Sequence, residues 1–383
     1  MGSFADFQNE IYLNGLGDVR PKLPTDLAGL ERLARERIAP EAFDYIAGSA
    51  GTESTARANR DAFERRRIVP RMLRDVAVRD LSVELFDMTL PAPVALAPIG
   101  VMSIMHPEGE RAVARAAATL GVPMVASTVA SYSMEQIAEA NAGGHRWFQL
   151  YWSKDRDVVA SFLGRAAAAG YRVLVVTLDT HTLGWRPRDL DRAYLPFLRG
   201  VGIANYLTDP AFQRAIGTAD RDAAILRWAL TFGDPSLTWD DLAFLRDHWA
   251  GPIVLKGIQH PDDARRAVDA GMDGVVVSNH GGRQVDGAIA SLDALPGVVE
   301  AVGDRTTVLF DSGIRTGADV IKAIAMGARA VLLGRPYAYG LALAGEEGVR
   351  HVIRCLLAEL ETAMALAGAA RPADLTPDLL ASP

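Results

Sequence analysis

One cysteine, Cys355, is all that 383 residues contain, so an intramolecular disulfide is excluded. It lies in an apolar helical pattern with Ile353, Leu356, Leu357 and Leu360, and reads as a buried small hydrophobe. No Cys/His cluster has metal-ligand spacing, and no metal is expected. Basic charge is short too: 40 Lys+Arg face 47 Asp+Glu, a formal net charge of −7. Nucleic acid as an obligatory partner would need a net basic face, so none is expected. Apolar runs stop at strand length, in glycine or proline, and none is long enough for a membrane span. The N-terminus carries acids early and lacks the basic, apolar, small-residue order of a secretion signal. The expectation is a soluble cytoplasmic protein without a membrane partner.

What the chain does have is alternation. From about residue 90, short runs rich in Val, Leu and Ala are followed by helical patterns. The runs are Val94–Pro98, Met124–Ser127, Trp147–Tyr151, Val173–Asp179, Ile253–Lys256, Gly274–Asn279, Val308–Ser312 and Ala330–Gly334. Near-continuous apolar runs fit strands buried on both faces. Segments such as Asp262–Ala270 and Gly317–Met326 have helical spacing. Eight β/α units in series predict an α/β fold, a TIM (β/α)8 barrel, with an open doubly wound sheet as the alternative. Residues 1–90 form an N-terminal helical extension, with helices around Leu27–Arg37 and Pro40–Ala47, expected to cap one barrel end. Residues 91–383 form the barrel, with a long insertion after the fourth strand at about 180–237. A loop there lies at the catalytic face, so it is a candidate lid or an oligomer contact.

In a barrel, catalytic groups collect where strands end. Nearly every run ends in polar or charged residues, a pocket signature that a merely structural barrel does not need. The seventh and eighth runs end in Gly313-Ile314-Arg315 and Gly334-Arg335. Glycine lets the backbone approach an anion and arginine adds a charge-assisted fork, so a phosphate site is expected there. His280 ends the sixth run beside Gly281, Gly282 and Arg283. Asp179 ends the fourth and could orient an imidazole and stabilise its protonated form, which suits proton abstraction. Arg186 and Arg283 suit a carboxylate. Lys256 ends the fifth run, where it could stabilise developing negative charge or pair with a core carboxylate. Tyr151 and Tyr45 offer phenolic hydroxyls to substrate oxygens; for Tyr45 alone, helix packing is the simpler reading.

In order, these strand ends resemble the FMN-dependent α-hydroxy acid oxidase and dehydrogenase family. Ser278–Gln284, reading SNHGGRQ, is similar to that family's active-site signature, and the resemblance runs from Asp44-Tyr45 to the last helix. Within the family the chain is most similar to lactate 2-monooxygenase, on Asn9–Tyr12, Gly184–Asp189, Pro196–Gly200 and Gly257–Asp262. The resemblance implies FMN as cofactor and a small, lactate-like L-2-hydroxy acid as substrate. It implies O2 as acceptor, with oxidative decarboxylation as the outcome. Alternatives are an oxidase giving keto acid and H2O2, a dehydrogenase of mandelate type and, remotely, a non-redox barrel with a phosphorylated ligand. His280 would take the proton, with Asp179 supporting it. Arg186, Arg283 and Tyr45 would hold the substrate carboxylate, and Tyr151 the reacting oxygen. Pro98, Ile99, Gly100, Ser127, Gln149, Thr177, Lys256 and Ser278 would hold the flavin ring. Asp311, Gly313, Arg315, Gly334 and Arg335 would hold its phosphate arm. A homo-oligomer, tetramer or octamer, is also implied. Departures from the family pattern are His181, two after Asp179, Val129 where several oxidases carry a large aromatic, and Gly100 where many carry alanine. The missing Cβ of Gly100 is expected to leave room beside the flavin edge.

Overall fold

The computed structural model describes residues 3–217 and 220–381; the ends of both expected domains, and residues 218–219 of the insertion, lie outside these. Eight parallel strands close into a barrel. They are Val94–Leu96 (β1), Met124–Ser127 (β2), Arg146–Leu150 (β3), Val173–Thr177 (β4), Ile253–Ile258 (β5), Gly274–Val277 (β6), Thr307–Phe310 (β7) and Ala330–Leu333 (β8). β8 pairs with β1, so no edge is left unpaired. The fold is a TIM barrel. Most strands stop one or two residues short of the apolar run plus its polar end. Asp179, Asn279 and Ser312 lie just past the last ladder residue, because polar groups leave the sheet at the rim. β5 is the exception: it runs past Lys256 to Ile258 through a register shift at Gly257, whose φ is +107°. That bulge bends the strand where a glycine can take the conformation.

Alternate residues of each strand divide between two cores. Val94, Leu96, Phe148, Leu174, Val275 and Phe310 face the surrounding helices in the larger cluster. Ala95, Val125, Trp147, Val175, Val254 and Leu309 fill the barrel. A hairpin of Val83–Leu85 and Met88–Leu90 joins this inner cluster, and Phe86 meets Trp147 edge-on at 5.7 Å. Trp147 and Gly274 lie near the starts of their strands, so the hairpin plugs the N-terminal end. The helices Leu27–Arg37 and Pro40–Ala47 form as expected, and Ser54–Arg65 follows them. The chain around Pro40–Ala47 and Ser54–Arg65 contacts the opposite, C-terminal rim through Gly48 and Asn59. Residues before β1 therefore serve both ends, not one.

The insertion is built from helices, including Pro187–Asp191, Pro210–Ile216 and Arg221–Thr231. Phe197, Trp228 and Phe232 pack together, with ring centroids of 4.7 Å and 4.9 Å about Trp228. Cys355, on the last helix Arg335–Ala367, is half-buried, contrary to the sequence expectation, with Sγ 3.5 Å from His351 Nε2. His351, one turn earlier on the same helix, lies 2.9 Å from the Pro24 carbonyl, so this stretch of the helix meets the N-terminal segment. Among the described residues no helix is long and apolar enough to cross a membrane. No group of three His, Cys, Asp or Glu among them could hold a metal.

Candidate active site

The two-residue period of the strands carries the inner column upward from apolar to polar. Val125 is followed by Ser127, Trp147 by Gln149, Val175 by Thr177, Val254 by Lys256, Val276 by Ser278 and Leu309 by Asp311. The topmost layer of the barrel is thus polar and buried. Its members satisfy one another. Ser127 Oγ donates to Gln149 Oε1 at 3.1 Å and Gln149 Nε2 donates to Thr177 Oγ1 at 2.9 Å. Lys256 Nζ donates to Ser278 Oγ at 3.0 Å and lies 3.3 Å from Asp311 Oδ2. Burial disfavours the Lys256 cation, but Asp311 and Asp179 outweigh it and raise its pKa, so the lysine stays charged.

Above this floor opens a cavity with about 1020 Å³ of unfilled space. His280 stands in its wall at φ +57°, in the glycine-flanked turn after β6. Its Nδ1 is 2.8 Å from Asp179 Oδ1, which leaves Nε2 as the free ring nitrogen. Burial pushes His280 below the ordinary imidazole value, against the opposing pull of Asp179. Burial opposes ionisation of Asp179 as well, but His280 and Lys256 hold its carboxyl down at about 2. The pair is a neutral base beside a fixed anion. Tyr151, packed edge-on to Phe232, has its hydroxyl pushed up to about 12, first by burial and then by the Asp179 charge, and stays a donor.

Two groups of arginines share the cavity. Arg186 Nε donates to the Arg283 carbonyl at 3.1 Å, and Arg283 stacks over Tyr45 at 5.2 Å. Burial, then the neighbouring Arg186, brings Arg283 down to about 9. Arg315 and Arg335 form the second group. Among the described residues Arg315 has no carboxylate partner, and its side chain donates to the Ile314 carbonyl. Burial and then Arg335 lower it to about 10. Gly334 caps the last helix, and a Cβ there would meet nothing within 4 Å. Unneutralised guanidinium, open glycine and helix N-terminus fit a phosphate dianion, so the residues present fit FMN.

Several expected residues take other positions. Ser127, Gln149, Thr177 and Ser278 lie in the buried layer below the cavity and do not line it. Arg335 donates to the carbonyls of Ile46, Gly281 and Gly48 and to Ser49 Oγ, so most of its fork ties the N-terminal segment to the His280 turn. Gly100 lines the cavity, but its absent Cβ leaves no room there. A Cβ would sit 2.4 Å from the Val129 carbonyl oxygen, so glycine is needed for the loops after β1 and β2 to pack. Sequence reasoning missed Phe197, Phe232 and Leu183, which the insertion brings to the cavity wall, and Gln284, whose Oε1 accepts from Arg186 at 2.8 Å. Gln284 adjoins Arg283 in the signature and Phe197 lies in the Pro196–Gly200 stretch, signals that were there; Phe232 and Leu183 carry none.

Places for two anionic groups beside a base define the class: a barrel enzyme suited to an acid substrate and a phosphorylated cofactor. The chain belongs to the FMN-dependent dehydrogenase family, whose profile matches residues 34–382. It is 50% identical to an FMN-dependent alpha-hydroxy acid dehydrogenase of Penicillium citrinum, over 99% of this chain and 96% of the relative. It is 43% identical to an L-lactate oxidase of Lysinibacillus sphaericus, over 90% of this chain and 89% of the relative. A crystal structure of mandelate oxidase superimposes with a TM-score of 0.84 at 42% identity, over 94% of this chain and 98% of that one. The protein is an FMN-dependent α-hydroxy acid oxidoreductase.

Proposed function

We propose that the protein oxidises L-2-hydroxy acids to 2-keto acids with O2 as acceptor, releasing H2O2. The observation that carries this reading is the His280–Asp179 pair, 2.8 Å apart, in one cavity with Arg186 and Arg283. The two guanidiniums grip the substrate carboxylate, and the buried Tyr45 hydroxyl adds a donor. Tyr151, protonated, orients the substrate hydroxyl. His280 Nε2 takes the proton from the substrate, and the ionised Asp179 stabilises the imidazolium that forms. Lys256 supplies a buried positive charge where negative charge develops. FMN would be held by Lys256 and Asp311, the members of the polar layer that reach the cavity, and by the loops after β7 and β8, and would supply the two-electron acceptor. Phe197 and Phe232 cover the substrate side with apolar surface.

That same wall favours a second reading, lactate 2-monooxygenase-like oxidative decarboxylation, in which the keto acid is held long enough for peroxide to attack it. The test is anaerobic bleaching of the flavin by a panel of L-2-hydroxy acids, lactate and mandelate included, then product analysis in air with and without catalase. Keto acid with stoichiometric H2O2 supports the oxidase. A decarboxylated acid supports the second reading, and bleaching without reoxidation in air points to a dehydrogenase. No bleaching by any member refutes all three. The proposal includes a cytoplasmic homo-oligomer, a tetramer or octamer, motivated by exposed Tyr12 and Leu13 on the helix Asp6–Gly15 and exposed Leu16 just past it; light scattering checks its mass.

A further inference from the structure

The Asp179 carboxylate is held through only one of its oxygens. Oδ1 meets His280 Nδ1 at 2.8 Å, while Oδ2 is buried without a hydrogen-bond partner among the described residues. One side of the carboxylate abuts the β5 bulge: a Cβ on Gly257 would sit 3.0 Å from Asp179 Cβ, Cγ and Oδ2. The residue also borders a second cavity, with about 1140 Å³ of unfilled space, that Gly257 and His181 line too. Gln284 Nε2 fixes the Asp179 carbonyl at 2.6 Å, but that leaves the side-chain torsion free. One further group reaches the carboxylate. Thr180 Oγ1 is 3.0 Å from Asp179 Oδ1 and 3.3 Å from His280 Nδ1. Thr180 is only 5% exposed and lines both cavities.

We propose that Thr180 is a positioning residue whose hydroxyl pins Asp179 Oδ1 against His280 Nδ1. The hydroxyl donates to Oδ1, and so does the imidazole Nδ1–H. Two donors on one oxygen fix the torsion that neither the bulge nor the second cavity sets. When His280 Nε2 takes a proton, the imidazolium finds the anion already in place and no carboxylate rotation has to accompany the transfer. The other charged or titratable groups about the pair are Lys256 from β5, Tyr151 beyond β3 and Arg186 from the insertion, with Tyr45 against Tyr151, and His181, Asp234 and Asp263 around the second cavity. None of them is hydrogen-bonded to the Asp179 carboxylate. The proposal rests on His280 acting as the base.

The test compares Thr180→Val, which exchanges the hydroxyl for a methyl at nearly constant shape, with Thr180→Ser, which restores it. In the FMN-loaded enzyme, Thr180→Val lowers the limiting rate of anaerobic flavin reduction about 10- to 150-fold, the range for losing a hydrogen bond to an ionised group. Substrate affinity, FMN affinity and melting temperature stay close to wild type. Asp179 raises the His280 pKa, so a carboxylate no longer held at Nδ1 raises it less. The acid limb of the reduction rate therefore moves to lower pH, and NMR titration of ¹³C-labelled histidine in the same enzyme moves the His280 signal the same way. Thr180→Ser returns rate and acid limb toward wild type. A Thr180→Val enzyme with wild-type rate and acid limb overturns the proposal, as does a Thr180→Ser enzyme as slow as Thr180→Val. His280→Gln is the control: if it alone is slow, the base stands and the Thr180 role falls; if it too reduces at the wild-type rate, both fall.

Discussion

Arg315 makes the sharpest claim about the cofactor, because the fold leaves its charge unanswered. The side chain lines the cavity, no carboxylate pairs with it among the described residues, and burial and then Arg335 lower it to about 10. A cation in that setting is a standing cost until an anion arrives. Arg315→Met keeps the apolar stem and removes the guanidinium. A charge-assisted hydrogen bond to phosphate contributes about 1.5–3 kcal/mol, and 1.4 kcal/mol is a factor of ten, so FMN should bind about 10- to 150-fold more weakly. Riboflavin has the same ring and ribityl chain without phosphate, and its affinity should not change. The assay is quenching of flavin fluorescence on titration into apoprotein, run with both flavins. Inorganic phosphate should raise the melting temperature of wild-type apoprotein and leave that of Arg315→Met unmoved. The variant apoprotein should itself melt no lower than wild type, since a half-buried charge without a carboxylate partner has gone. Equal losses for FMN and riboflavin would show that Arg315 shapes the cavity instead of gripping phosphate. No loss for either would place the phosphate elsewhere.

Four further outcomes rest on the same geometry. His280→Gln should retain FMN and slow flavin reduction by roughly 10²- to 10⁴-fold. In wild type, reduction at low substrate should persist below the ordinary imidazole value before falling, because the base works neutral and its pKa is lowered; an acid limb at or above about 6.5 contradicts this. Arg186→Lys and Arg283→Lys should each weaken substrate binding more than FMN binding, and methyl esters of good substrates should be poor ones; esters oxidised as fast as acids would remove the clamp. Gly100→Ala should cost about 1–3 kcal/mol in urea unfolding of the holoenzyme, because the new methyl meets the Val129 carbonyl and disturbs the 3.0 Å bond from Val101 N; a stable variant with altered products would restore the view that glycine leaves space for chemistry.

The barrel was legible in the sequence because strands buried on both faces leave an apolar run too regular to miss, and because each run breaks into polar residues where the sheet ends. Asp179, Lys256 and His280 could be picked out as rim residues from that break alone, and the resemblance carried by SNHGGRQ gave them roles. Tertiary structure decided what a linear pattern cannot encode. Asp179 and His280 are 101 residues apart, and only barrel closure sets their side chains 2.8 Å from each other. The alternation that makes Ser127, Gln149 and Thr177 one buried row became visible only when β2, β3 and β4 lay in register. Arg335, read as a phosphate ligand, proved to bind three carbonyls, because the segment around Ile46–Ser49 folds back onto the rim. Gly100 changed meaning once Val129 lay beside it. Phe232 came from an insertion whose local pattern gives no hint of what its helices cover. A strand's period fixes which side chains share a face, a local property that sequence records. Which faces meet, and how closely, depends on packing between segments far apart in the chain.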